Sequence, residues 1–176
     1  MHYVTFYNAI RQWFLQGPGG RMKTLKLLYR TIPLLIAASY IGCGFFVLLR
    51  EHNLKLLCCY LVIPASFFAA ASIFRKCFNR PRPYEDRQTA DGRESRIVPL
   101  IPKNKSGASF PSRHTLSAAL IATACMFVSV PIGICCVILT TILGITRVLA
   151  GVHYPSDVIC AMGIGYLSCV CYFLGL

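Results

Sequence analysis

The chain has 176 residues, of which 56% are hydrophobic and only 14% charged. A soluble domain normally carries about 25% charge, so a water-soluble fold is excluded, and disorder is excluded by the same numbers. Eighteen Lys and Arg against six Asp and Glu leave a formal net charge of +12, which suits a phosphorylated substrate, anionic lipid headgroups or nucleic acid.

Residues 1–30 form an arm of their own. Tyr3, Phe6, Tyr7, Ile10 and Phe14 recur at helical spacing with Trp13 alongside, the pattern of a helix lying in the membrane interface. Gly17-Pro18-Gly19-Gly20 ends it, and a basic stretch from Arg21 to Arg30 follows. Residues 31–176 then read as an all-α, polytopic membrane helix bundle. Uncharged runs of about 20 residues are long enough to cross a bilayer. They occur at Thr31–Leu49, Leu56–Phe74 and Val158–Leu176. A longer run is broken near Val130-Pro131 and predicts a hairpin of Pro111–Val130 and Ile132–Gly151. About five transmembrane helices result. The ten cysteines lie in or just past apolar runs and read as small hydrophobes, without the spacing of a zinc site. Ala118, Ala122, Ala161 and Gly165 recur at four-residue spacing that suits close helix contact.

With five spans, the N-terminal arm, loop 75–110 and link 147–157 share one face. That face holds 16 of the 18 Lys and Arg, the other two being Arg50 and Lys55. The bias predicts a cytoplasmic basic face. Three polar clusters lie on it: Arg75 to Pro83, Phe110-Pro111-Ser112-Arg113-His114, and Thr146-Arg147 followed by His153 to Asp157. Pro111 and Pro155 suit the first turn of a helix. Open N–H groups near Ser112, Arg113 and His114 would make an anion site at a helix start. Arg75, Arg82 and Arg147 bring planar forks that match phosphate oxygens. His153 and Asp157 are four apart, so the carboxylate can orient the imidazole. Arg80, Lys76 and the basic residues of loop 87–105 read instead as headgroup contacts or topology determinants.

These clusters resemble the signature of the type 2 phosphatidic acid phosphatase superfamily: Arg75-x6-Arg82-Pro83, Pro111-Ser112-Arg113-His114, and Thr146-Arg147-x5-His153-x3-Asp157. Loop 75–113 carries the first two. Arg75 stands where the pattern has Lys, Arg113 where it has Gly, and Thr146 where it has Ser. The resemblance implies a membrane lipid phosphatase, similar to phosphatidylglycerophosphatases, that works without a metal or other cofactor. It implies that His153 attacks phosphorus and becomes a phosphohistidine. Asp157 would hold the His153 ring, and His114 would protonate the leaving oxygen and then activate water. Arg75, Arg82, Ser112, the Arg113 backbone and Arg147 would hold phosphoryl oxygens. The implied substrates are phosphatidic acid, phosphatidylglycerol phosphate or undecaprenyl pyrophosphate. Rival readings are a metal site on His114, His153 and Asp157, which the nearby arginines oppose, and an arginine-lined anion channel or transporter without hydrolytic activity. Nucleic-acid binding is not expected, because the basic residues lack interleaved aromatics.

Overall fold

The computed structural model describes residues 2–51, 54–85, 97–102 and 106–174. Helices α1 (His2–Gln16), α2 (Gly20–Phe46), α3 (Leu54–Phe78), α4 (Arg113–Val128), α5 (Val130–Leu149), α6 (Pro155–Leu167) and α7 (Cys169–Phe173) make an all-α bundle. A π-helical turn, Val47–Glu51, extends α2. The chain is a multi-pass membrane protein. Among the described residues, four helical stretches are long and apolar enough to span a bilayer: Gly20–Arg50, Leu54–Phe78, Val130–Leu149 and Pro155–Tyr172. Their outward residues are apolar, among them Leu34, Ile73 and Ile159, each at least 66% exposed, as a lipid-facing surface requires.

Three boundaries differ from the sequence expectation. α2 begins at Gly20, so the basic stretch is already helical; Lys, Arg and Leu are good helix formers once Gly19 is past. The last crossing breaks at Ser168, whose buried hydroxyl donates to the Gly165 carbonyl (2.6 Å). α4 is only 16 residues long, because Ser112 is extended ahead of it and Ser129 ends it in an extended conformation. At 1.5 Å per residue α4 spans about 24 Å, short of a hydrocarbon core of about 30 Å. The non-helical segment before α4 is enclosed by protein, with Ser109 and Ser112 fully buried. Irregular backbone at membrane depth is tolerated only when enclosed by protein that supplies its hydrogen bonds.

α4 and α5 form the predicted hairpin, hinged at Ser129. A Cβ on Gly133 would lie 2.3 Å from Met126 Cα, and one on Gly144 would lie 3.7 Å from Thr115 Cγ2; the paired numbers run oppositely, so the helices are antiparallel. α6 runs parallel to α4: Thr123 Oγ1 donates to Gly165 O (3.1 Å), and Ser112 N donates to Asp157 O (3.1 Å). α4 is the centre of the bundle, and its Ala118, Ala119, Ala122 and Ala124 are buried. α2 and α3 are tied by Tyr40 and Tyr60, stacked at 4.6 Å, each hydroxyl donating to the other's carbonyl (2.9 and 2.7 Å). Such pairing keeps a phenol in the apolar interior from being left unsatisfied.

The α4–α6 contact gives a direct test. A Cβ on Gly165 would lie 2.3 Å from Ala119 Cβ, whereas one on Gly163 meets nothing within 4 Å. Gly165→Val should lower the thermal midpoint in detergent, by a cost of about 1–3 kcal/mol for overpacking; Gly163→Val should leave the midpoint within error of the parent.

Candidate active site

The three polar clusters meet at one end of the bundle. The Asp157 carboxylate, fully buried at the third position of α6, gathers them. Its Oδ2 accepts from Tyr154 N (3.0 Å) and Ser109 Oγ (2.5 Å), and His153 Nδ1 lies 3.4 Å away. Its Oδ1 accepts from Arg80 Nη1 (2.8 Å). Its backbone carbonyl holds Ser112 N at the head of α4. One residue thus joins the segment after α3, the loop before α4, the start of α4 and the start of α6.

The arginines divide by what their donors meet. Arg75 Nη1 donates to the carbonyls of Pro111 and Ser109, and Nη2 donates to that of Ala108. Arg82 Nε donates to Gly107 O (3.1 Å) and Nη1 to Val152 O (3.4 Å). Both side chains are buried, and both satisfy the carbonyls of the irregular segment. Arg147 differs. It is 2% exposed, its guanidinium carbon lies 3.7 Å from the Tyr29 ring centroid, and Nε and Nη1 have no hydrogen-bond partner among the described residues. Buried charged donors without acceptors are costly, which makes Arg147 a candidate anion-binding position. Thr146 keeps its hydroxyl within the helix, donating to Leu143 O (2.7 Å).

His153 is 3% exposed, whereas His114 and Arg113 are exposed at the start of α4. Burial pushes the His153 imidazole below its ordinary 6.5; hydrogen bonding to Asp157 opposes this, and the charges of Arg82 and Arg75 add to it. The ring is therefore neutral near pH 7, and Nδ1 is the nitrogen next to Asp157. At the head of α4 two expectations change. Pro111 sits one residue before the Ser112 cap and not in the first turn. The Ser112 N–H is spent on Asp157, so the helix start offers an anion the N–H groups after it. Ser112 Oγ accepts from Thr115 Oγ1 (3.1 Å). Among the described residues, no three His, Cys, Asp or Glu side chains form a metal-binding group.

Several contributors escape sequence reasoning. Arg80, read as a headgroup contact, grips Asp157 and Ser156 and lies 4.4 Å over the Tyr154 ring. Ser109 bridges Asp157 and the His153 ring. Glu85 accepts from the backbone N–H of Arg82 and Gly107 (2.9 Å each), and Asn79 Oδ1 accepts from Ala108 N (3.0 Å). Gly107, at φ +62°, sits so close to Asn79 that a Cβ would lie 2.3 Å from Oδ1. A serine or an acid in a polar loop carries no signal of such contacts. The arm also reaches the site. Tyr7, 1% exposed, donates to Val98 O (3.3 Å) and accepts from Leu100 N (3.1 Å). A Cβ on Gly151 (φ +73°) would lie 2.3 Å from the Tyr7 hydroxyl, two residues before His153. Of the remaining acids, Asp86, Asp91 and Glu94 lie outside the described residues.

The sequence matches the PAP2 superfamily over residues 56–175. The chain belongs to this superfamily. The PAP2 region thus includes α3 through α7 and every motif residue. Undecaprenyl-diphosphatase BcrC of Bacillus subtilis is 42% identical over 72 residues, covering 39% of this chain and 37% of that one; the match spans well under two thirds of that relative. Two solved structures share the fold. The PAP2-type phosphatidylglycerolphosphate phosphatase of Bacillus subtilis superposes with TM-score 0.62 at 20% identity, covering 99% of this chain and 82% of the other. LpxE of Aquifex aeolicus superposes with TM-score 0.53 at 22% identity, covering 86% and 93%.

Tyr7 links the arm to the PAP2 site and can be tested alone. Tyr7→Phe removes one of the two acceptors of the Leu100 N–H, which keeps Ala150 O (3.1 Å), and takes the donor from the Val98 carbonyl, at a cost of about 0.5–1.5 kcal/mol. The variant should melt at a lower temperature in detergent, as followed by tryptophan emission.

Proposed function

We propose that this chain is a membrane phosphohydrolase acting on lipid phosphates or pyrophosphates, of the phosphatidic acid, phosphatidylglycerol phosphate or undecaprenyl pyrophosphate class. The observation that carries this reading is Arg147: a buried guanidinium with two unpartnered nitrogens, at the same bundle end as a neutral, carboxylate-oriented His153. Membership of the PAP2 superfamily and the names of its relatives support the same chemistry. A site at the membrane boundary lets a lipid chain stay among the helices while its phosphate enters the cationic end.

The steps follow from the positions. Arg147 holds phosphoryl oxygens, aided by remaining donors of Arg75 and Arg82, by Ser112 and by the Arg113 N–H; such donors gain most where charge develops in the transition state. His153 Nε2, the nitrogen away from Asp157, forms a bond to phosphorus as the bond to the leaving oxygen breaks. His114 gives that oxygen its proton. Asp157 holds the ring and offsets the positive charge the phosphohistidine acquires. His114 then takes a proton from water, the water oxygen attacks phosphorus, the N–P bond breaks and phosphate departs. Fixed guanidinium charge supplies what a metal supplies elsewhere. Asp157 and Glu85 are already saturated by donors, so neither is poised as a cation ligand.

The decisive measurement is phosphate release from a panel of lipid phosphates in detergent with EDTA present. Wild type should release phosphate and His153→Ala should lose at least about 10³-fold, the scale of removing a nucleophile that acts with its partners. Activity abolished by EDTA would point to a metal site, and ion flux in liposomes without hydrolysis to the channel reading.

The pH dependence has a definite sign. Neutral His153 is the reactive form and its pKa lies below 6.5, so activity should persist below pH 6.5 and fall as the pH drops through the lowered value. The kcat/KM profile should show its acid limb there; a limb above 6.5 would contradict the assignment.

The loop charge bias supports a cytoplasmic site. Cys77 is exposed at the site end of α3. A membrane-impermeant maleimide should label it in permeabilised cells and not in intact ones, with Cys77→Ser as the control; labelling in intact cells would reverse the orientation.

A further inference from the structure

A cavity lies where the arm meets the bundle, away from His153 and Asp157 but with Thr146 in its lining. It measures about 350 Å³ and lies between α1, α2 and α5, within the range of small-molecule pockets. Trp13 and Phe14 close one side, Leu28 and Ile142 line its depth, and Arg21 stands in its wall. The Arg21 guanidinium lies 3.8 Å over the Trp13 ring, with one N–H on the Trp13 carbonyl (2.9 Å). An arginine has five N–H donors, so donors remain for an anion at this position. Gly17 leaves room for this placement of the guanidinium: a Cβ there would lie 2.2 Å from Arg21 Nη1 and would displace that side chain.

Charge and depth identify the occupant. No acid occurs among residues 1–50, whereas Arg11, Arg21, Lys23, Lys26 and Arg30 do, so no carboxylate of α1 or α2 competes for Arg21 and this basic stretch attracts anionic headgroups. Trp13 and Phe6 are more than half exposed on α1, at the level where interfacial aromatics sit. Ile145, on the cavity's α5 wall, is 52% exposed toward lipid, which gives a chain lateral entry. We propose that this cavity binds an anionic phospholipid of the surrounding bilayer, its phosphate on Arg21 and one acyl chain descending between α2 and α5 along Leu28 and Ile142. The site is independent of the hydrolytic reading, since none of its contacts uses His153, His114 or Asp157.

Trp13 is the sole tryptophan and reports on its own cavity. The full chain is placed in nanodiscs of phosphatidylcholine containing increasing fractions of brominated phosphatidylglycerol or brominated phosphatidylcholine. The anionic lipid should quench Trp13 at a roughly fivefold lower mole fraction, the scale of one basic contact at a membrane surface. Arg21→Gln and the cavity-filling Leu28→Phe should abolish the preference, and Lys26→Gln, an exposed neighbour outside the cavity, should keep it. Equal quenching of wild type by the two lipids overturns the proposal. So does a preference that Lys26→Gln reduces as far as Arg21→Gln, which would mean diffuse surface charge. Relief of quenching by one equivalent of a non-hydrolysable long-chain phosphonate would assign the cavity to the substrate's own chain and also overturn it.

Discussion

A single buried carboxylate organises one end of this bundle. Asp157 accepts hydrogen bonds from the segment after α3 through Arg80, from the loop before α4 through Ser109, and from the start of α6 through Tyr154, while its carbonyl anchors α4 through Ser112. A charge taken out of water is tolerable only when its lone pairs are met. That requirement pulls four segments, more than 70 residues apart at the extremes, to one point. The His153 imidazole is oriented as a consequence, because it stands beside the same oxygen.

The second constraint is the irregular segment leading into α4. Its carbonyls at Gly107, Ala108, Ser109 and Pro111 lie where water is scarce, and Arg75 and Arg82 supply their donors. The two arginines therefore do structural work that a phosphate-binding label alone would hide. Arg147, stacked over Tyr29, differs in having two nitrogens without a hydrogen-bond partner among the described residues. The division explains why a site so rich in arginine stays together: most of its positive charge is already spread over backbone oxygens. The N-terminal arm reaches the same end from outside, since Tyr7 meets the residues around Leu100 and the Gly151 turn.

Much of this was legible in the residues themselves. Long uncharged runs cannot be soluble, so helical spans follow from hydropathy alone, and the break near Pro131 marks the hairpin. The spacing of Arg82, His114, Arg147, His153 and Asp157 marked the candidate residues, and parity placed their stretches on one face, where the structure has the three clusters meet. The α4–α6 contact was visible as small residues at four-residue spacing. Arg80, Ser109, Glu85 and Tyr7 were not legible: an arginine beside a membrane, a loop serine, a loop acid and a tyrosine on an amphipathic helix each have a commoner explanation, and nothing local distinguishes these four.

What the sequence determined by itself is the class, the approximate number of crossings and which residue types are available at which helix ends, because these depend on apolar run length and periodicity, which are local properties. Tertiary structure decided which donors are spent and which remain open. Whether Arg75 binds carbonyls, Arg80 binds Asp157 and Arg147 keeps two nitrogens unpaired depends on distances between segments far apart in the chain. Hydrogen-bond partners are chosen within a few ångströms, and only packing of the helices brings those atoms together.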